Sequence, residues 1–214
     1  MILIDGISQW QCTNPAKFLC YLGLAVFAST RKVRLPGVAG TYSANFLFIL
    51  LGIASLSLPE AVTIGCVSII TQSVWKATTR PRPVQVLFNV GNIVISIAVS
   101  YFTAHLVEQP ESYGASLIRL ALAASLFFMS NTFLVSGVLS MVDRQPLQKV
   151  WSQWILWSLP YYLTGMAVAG LMTVSNQHLG WAVSLSCLPL MYLASLWYQR
   201  FIARHTPRPA DARG

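Results

Sequence analysis

Few side chains in this sequence can do acid–base or metal chemistry: three histidines and six carboxylates in 214 residues. His105, Glu108, Glu111 and His178 lie near the ends of apolar segments, and imidazole and carboxylate groups are metal ligands. His105 and Glu108 are three residues apart, so they share a face wherever a helix continues through them. No metal-binding motif sets the spacing of these four residues. We therefore interpret them as polar residues that cap helix ends at the membrane interface.

Sequence motifs of the known catalytic classes are missing. There is no HExxH, no GxSxG and no aspartate inside an apolar run. Cys12, Cys20, Cys66 and Cys187 have no CxxC spacing, which is typical of inert thiols. The sequence therefore predicts a protein that is not an enzyme, with no catalytic residue, no cofactor and no metal ligand.

Five amide side chains are the more informative polar groups, because they fall inside apolar segments. An amide in hydrocarbon must find a hydrogen-bond partner. Such amides join neighbouring helices, at about 0.6–2 kcal/mol for each bond, or they line a small polar cavity for a ligand. The sequence leaves both interpretations open for this candidate polar patch, which consists of Asn45, Gln72, Asn89, Asn92 and Asn131.

The segments that must position these amides are long and apolar. The chain is 55% hydrophobic and only 9% charged, against about 25% in soluble domains, so its surface cannot be a water-facing one. A membrane-spanning helix needs about 20 apolar residues. The pattern predicts an all-α polytopic transmembrane bundle of about seven helices, with six as the alternative. The predicted segments are 12–30, 43–58, 60–78, 84–106, 114–141, 152–173 and 179–200.

The basic residues indicate the orientation of these segments. With the N-terminus outside, the inside regions are 31–42, 76–83, 142–151 and the tail from 200, and they hold twelve of the fourteen basic residues. Positive loops face the cytoplasm, so the C-terminus is expected there. Trp75 and Trp151 then fall at the inner interface, where aromatic belts occur. Asn45, Asn89 and Asn92 would lie near the inner leaflet, beside the basic loops.

The net charge of +8 fits cationic loops against an anionic leaflet. No basic helix with interleaved stacking aromatics lies outside the apolar segments, so we expect the lipid bilayer as a partner and no nucleic acid. We predict one transmembrane domain over residues 1–203, followed by a short basic, proline-containing cytoplasmic tail over 204–214.

Two stretches resemble a known membrane module. The first contains KVRLPG (32–37), SANFLFILLG (43–52), SLPE (57–60) and WKATTRPRPVQVLFN (75–89), and the second is HLGWAVSLSCLPLMYLASLWYQRF (178–201). They are similar to the N-terminal multi-helix input domain of bacterial HD-GYP phosphodiesterases and GGDEF diguanylate cyclases. None of the matching motifs is catalytic.

The resemblance implies a sensory input domain in the bacterial cytoplasmic membrane. In that family the last helix continues into a cytoplasmic enzyme domain, whereas here IARHTPRPADARG follows Phe201. We therefore expect a cytoplasmic signalling enzyme as a partner in trans. The alternatives are a small-molecule transporter or substrate-capture subunit, and a purely structural membrane protein. The sequence does not identify the ligand.

Overall fold

The computed structural model describes residues 12, 14–34, 41–75, 77, 81–106 and 113–187, with single positions between 189 and 200. In these residues the fold is all-α, as predicted, apart from a two-residue antiparallel ladder that pairs Val33 with Tyr42 and Arg34 with Thr41. The elements are α1 (Pro15–Ser29), β1 (Val33–Arg34), β2 (Thr41–Tyr42), α2 (Asn45–Ser55), α3 (Leu58–Val74), α4 (Pro83–Leu106), α5 (Tyr113–Asp143), α6 (Leu147–Leu179) and α7 (Trp181–Ser184), followed by a 3-10 turn at Leu185–Cys187.

Local sequence signals set the starts of α1 and α3. The side-chain oxygen of Asn14 accepts a hydrogen bond from the Lys17 backbone N–H at 3.0 Å, and Pro15 occupies the first helical turn, where its missing N–H costs nothing. These residues interrupt the apolar run because they form the cap of α1. In α3, the Glu60 carboxylate accepts from the Ser57 backbone N–H at 2.8 Å, which is half of a capping box.

The short helix α2 lies at the centre of the bundle. All its residues from Asn45 to Ile53 are buried, and it contacts α1, α3, α4, α5 and α6. A helix that is apolar all round is a core helix. It runs antiparallel to α3, because Gly52 lies beside Ala61 while Asn45 reaches Ser68.

The longer helices continue this antiparallel order. Gly65 packs against Ile93 and Ile97, and Asn89 reaches Ser73, so α3 and α4 run in opposite directions. The same holds for α5 and α6, because Phe133 lies against Trp151 and Leu117 lies beside Gly170. The amino-terminal ends of α2, α4 and α6 therefore share one end of the bundle with the carboxyl-terminal ends of α3 and α5.

The helix α6 is bent by 46° between its portions Leu147–Leu156 and Ser158–Asn176. Pro160 lies inside it, and a proline removes one backbone hydrogen bond and pushes away the carbonyl four residues earlier. The Ser158 hydroxyl donates to the Trp154 carbonyl, within the same turn. This helix extends beyond its predicted segment at both ends.

Helix length and apolarity separate two classes of helix in the described part of the chain. Pro83–Leu106 and Ser116–Asp143 meet both requirements for crossing a membrane, and the bent α6 adds a third span if its halves count together. The others are shorter: α2, with 11 residues, is about 17 Å long at 1.5 Å per residue, against about 30 Å of hydrocarbon. The prediction of a polytopic membrane protein is thus supported at two or three spans.

Large apolar side chains cover the outside of the long helices. On α4, Ile95, Val99, Phe102 and Leu106 are exposed, at the spacing that forms one stripe on a helix. On α5, Met129 and Phe133 are exposed, and they lie four residues apart on one face of the helix. A contiguous apolar surface of this kind is unfavourable in water and suits lipid.

Two predictions fall mostly outside the described residues. Of the helix predicted at 179–200, the structure describes the short helix α7 and the 3-10 turn, which follow a break at Gly180, where φ is +85°. The tail over 204–214 lies entirely outside the described residues.

Candidate functional site: a polar cavity within the bundle

The first part of the polar patch joins α2 to α3. The Asn45 amide nitrogen lies 3.3 Å from both the Ser68 hydroxyl and the Gln72 side-chain oxygen. The Ser43 hydroxyl, just before α2, donates to the same Gln72 oxygen at 2.8 Å. Asn45 is 6% exposed, so these bonds satisfy an amide that has little access to solvent.

The second part of the patch joins α3 to α4, α5 and α6. The Asn89 amide donates to the Ser73 hydroxyl at 3.2 Å. One turn further along α4, the Asn92 amide donates to the side-chain oxygen of Asn131 on α5. The Asn131 amide in turn donates to the Tyr162 hydroxyl on α6 at 3.0 Å, so a hydrogen-bonded chain crosses three helices.

Aromatic rings surround the end of this chain. The Tyr162 ring is stacked on Phe46 with centroids 4.5 Å apart and is tilted against Phe128 at 4.8 Å. Phe46 belongs to the central helix α2 and also lies 5.4 Å from Tyr161. The polar chain is therefore held in place by packing between α2, α5 and α6.

All five predicted patch residues line a single cavity of about 900 Å³. At one end its walls are formed by residues at the exposed start of α4 and just before it, including Arg82, Pro83 and Gln85. Lys32 also lines it and donates a hydrogen bond to the Trp75 carbonyl. None of the described residues that line the cavity is acidic. The cavity thus has amide walls and a positively charged end, which we call the mouth.

The Asn92 side chain supplies an unsatisfied polar atom to the cavity wall. The side-chain oxygen of Asn92 is buried and has no hydrogen-bond partner among the described residues. Its amide nitrogen is already used by Asn131. Buried polar atoms are rarely left unpaired, so this oxygen can accept a hydrogen bond from a molecule in the cavity.

The opposite end of the bundle holds a second polar cluster, around Glu60. The carboxylate of Glu60 is 2% exposed. It accepts hydrogen bonds from the Cys12 thiol at 2.9 Å and the Ser57 hydroxyl at 2.6 Å. The hydrogen bond to this carboxylate is the main reason that the pKa of the Cys12 thiol is raised, with burial and the negative charge of Glu60 acting in the same direction. The cluster fixes the residues before α1 to the start of α3.

The predicted cluster of polar residues at helix ends is only partly described. The His105 ring nitrogen Nδ1 lies 2.8 Å from the Tyr101 carbonyl, and its ring is stacked on Tyr101 at 4.0 Å. Glu108 and Glu111 lie outside the described residues. Among the residues that the structure describes, no group of three or more metal-ligating side chains comes together.

Sequence reasoning missed the partners of the amides. Ser43, Ser68, Ser73 and Tyr162 each bond a patch residue, and serine is too common in this chain to stand out. Glu60 was missed as a buried group, although Ser57–Leu–Pro–Glu60 has the S-x-x-E spacing of a capping box. That signal was present in the sequence.

Comparison with known proteins bears on the whole of this bundle. The sequence profile of the MASE9 family matches residues 17–200. The chain belongs to the MASE9 family. MASE9 is a family of membrane-associated sensor domains rather than of catalytic domains. No curated protein and no solved structure matches the chain.

Proposed function

We propose that this MASE9 chain is a non-enzymatic sensory input domain of the bacterial cytoplasmic membrane, which passes its conformational state to a cytoplasmic signalling partner. One observation carries the proposal: the cavity lined by the five amides reaches the surface beside the basic residues that flank α4. A polar cavity inside a bundle is expensive to keep in a membrane, and polar groups at such depth are functional candidates. Membership of a sensor family supports the same function.

The proposed topology has seven helices, a periplasmic N-terminus and a cytoplasmic C-terminus. In this arrangement α2 and α3 form a short hairpin, of which α2 is enclosed by the other helices while α3 keeps an exposed apolar face at Val67, Ile70 and Val74. The hairpin is too short to cross the bilayer as two straight spans, and α2 avoids lipid because its residues from Asn45 to Ile53 are buried. The mouth of the cavity then faces the cytoplasm with Lys32 and Arg82, as the distribution of basic residues favours.

The hydrogen bonds of the cavity give a physical route for coupling. They join α2 to α3, α3 to α4, and α4 to α5 and α6. A change in one wall therefore alters the packing of several helices at once. Signalling requires two packings that a ligand or partner stabilises differently, and replaceable amide bonds between helices suit such a change.

The partner that we propose is a second-messenger enzyme of the HD-GYP or GGDEF class, on the resemblance of residues 32–89 and 178–201 to the input domains of these enzymes. In this proposal the partner catalyses the reaction and this chain does not. Purified chain is therefore expected neither to make nor to degrade cyclic di-GMP, and turnover above that of a mock purification would contradict it.

Co-purification of partners tests the coupling. Asn89→Leu keeps a similar volume but removes the bond to Ser73, and Ser73→Ala removes the same bond from α3. Both variants are expected to reach normal membrane levels and to lose partner association. Ser96→Ala is the matched control, because Ser96 is buried on α4 and does not line the cavity. If all variants bring down the same proteins in the same amounts, the amides only hold the helices together.

The second candidate is a small-molecule transporter or substrate-capture subunit, which the size of the cavity favours. Flux of a bound solute into proteoliposomes containing only this chain would select the transporter. Binding without flux would select the sensor.

A further inference from the structure

We propose that the cavity binds a small water-soluble organic anion that enters from the mouth and donates a hydrogen bond to the side-chain oxygen of Asn92. The inference rests on the proposed sensory function, since it names the class of ligand that the sensor would take.

At the inner end of the cavity, the Asn92 side-chain oxygen can accept a hydrogen bond from a ligand. Asn92 is 6% exposed and its side-chain oxygen has no partner among the described residues, while its nitrogen is held by Asn131. An unpaired buried acceptor loses the hydrogen bond that water would give it. A hydroxyl or amino group on a ligand restores that bond.

The mouth of the cavity calls for an anionic group. Arg82 lines it at the exposed start of α4, and the described lining residues include no carboxylate beside this guanidinium. A concave wall with charges of one sign concentrates ligands of the opposite sign. Cations are disfavoured for the same reason, because they would find neither carboxylate ligands nor an attractive field.

The length and composition of the walls between the mouth and the inner end suit an elongated ligand with a partly apolar body. Pro83 and Asn92 are nine residues apart on α4, about 14 Å at the rise of an α-helix. Phe46, Phe88 and Phe127 share this stretch with the amides, and the cavity of about 900 Å³ is in the usual range for small-molecule sites.

A lipid tail fits this wall less well than a soluble metabolite does. An acyl chain at the inner end would place hydrocarbon against Asn92 and Asn131, and polar groups buried without a hydrogen bond are costly. An anionic lipid headgroup could bind the basic residues of the mouth but would bring no hydrogen-bond donor to Asn92. A soluble metabolite and a lipid are therefore distinguished by whether binding requires a donor at the inner end of the cavity.

A matched set of probes tests both requirements. Full-length chain in nanodiscs of phosphatidylcholine, a lipid without net charge, is titrated with para-hydroxyphenylpropionate, which has the donor and the anion. Para-methoxyphenylpropionate lacks the donor, and para-hydroxyphenylpropionamide lacks the charge. We expect saturable binding of the first probe and about three- to tenfold weaker binding of each of the others, as for the loss of one hydrogen bond or one charge interaction.

Three variants test whether the probes bind in this cavity. Arg82→Gln, at the exposed mouth, is expected to weaken the two anionic probes and to leave the amide probe unchanged. Asn92→Leu is expected to remove the difference between the hydroxy and methoxy probes, while Ser96→Ala keeps it. No binding of the first probe, equal binding of all three, or stabilisation only by added phosphatidylglycerol would each overturn the proposal.

These outcomes are separate from those of the proposed function. If the probe does not bind but partner association still depends on Asn89, the ligand class is wrong and the sensory function stands. If the probe binds with the expected ranking but no partner associates, the ligand site stands and the signalling function is wrong.

Discussion

The Asn92 amide on α4 donates a hydrogen bond to the side-chain oxygen of Asn131 on α5, although the two lie 39 positions apart in the sequence. The bond links α4 to α5 in the wall of the polar cavity, and the Asn131 amide donates in turn to the Tyr162 hydroxyl on α6. Three helices thereby share one series of polar side chains in the wall of the cavity. The stabilisation from these hydrogen bonds depends on all three side chains, because removing one amide leaves a polar group of its neighbour unpaired.

A double-mutant cycle on Asn92 and Asn131 measures this dependence. Asn92→Leu and Asn131→Leu are each expected to lower the free energy of unfolding in lipid by about 1 kcal/mol, a typical value for an interhelical amide bond. The double variant is expected to lose less than the sum, because both changes remove the same bond. Asn89, which bonds Ser73 instead, supplies the control pair with Asn131. Additive losses for Asn92 and Asn131 would contradict a shared bond.

The contact between Gly165 and Phe46 predicts a larger loss of stability than the amide variants do. A Cβ atom at Gly165 would overlap the Phe46 ring, and that ring is fixed between Tyr161 and Tyr162. Gly165→Ala is expected to destabilise the bundle by about 1–3 kcal/mol, as for an overpacked core. The measurement is unfolding of the purified protein in lipid.

Two variants control this measurement. Gly137→Ala on α5 meets no atom within 4 Å and is expected to be neutral. Phe46→Leu combined with Gly165→Ala should recover part of the loss, because it removes the overlapping ring atoms. Equal stability of Gly165→Ala and Gly137→Ala would show that α6 moves away from α2 at little cost.

The order and approximate bounds of the helices could be predicted from sequence, because apolar runs separated by Pro, Gly and charged residues mark helices in a membrane protein. The run 84–106 corresponds to Pro83–Leu106 within a residue. The depth of α2 could not be predicted in this way. Periodicity does not distinguish an 11-residue core helix from part of a span, since both are apolar all round.

The amides of the candidate site could be picked out individually, but not paired. Asn89 and Asn92 are three residues apart and were expected to form one patch with Asn45. In the structure Asn89 bonds α3 and Asn92 bonds α5, while Asn45 bonds Ser68 and Gln72. Which neighbour an amide meets depends on helix packing, which spacing along one helix does not specify. Whether the shared cavity has the role we assign to it stays a prediction.

Reporter fusions test the proposed orientation. A fusion after residue 110 is expected to report the periplasm and one after residue 204 the cytoplasm, because the basic residues concentrate on the side of the C-terminus. A second variant, in which glutamine replaces both Arg80 and Arg82, is tested with the same fusions. It weakens the charge signal beside α4 and leaves the apolar segments unchanged. Two fusions on the same side would rule out the seven-helix topology.

The Cys12 thiol offers a chemical test of the cluster at the opposite end of the bundle. A variant that keeps Cys12 and carries serine at the other three cysteines has one thiol to alkylate. The hydrogen bond to the Glu60 carboxylate, together with burial and the charge of Glu60, raises the pKa of Cys12. Because the thiolate is the reacting form, a raised pKa lowers the alkylation rate at neutral pH.

The folded protein is therefore expected to react with a membrane-impermeant maleimide more slowly than the same chain unfolded in detergent. Its rate should also keep rising with pH after that of the unfolded chain has levelled off. Glu60→Gln removes the negative charge and is expected to speed the reaction, by up to about tenfold for each pKa unit restored. In intact cells the reagent should reach Cys12 from outside. A folded chain with the pH profile of the unfolded one would mean that the Cys12–Glu60 bond does not form in the membrane.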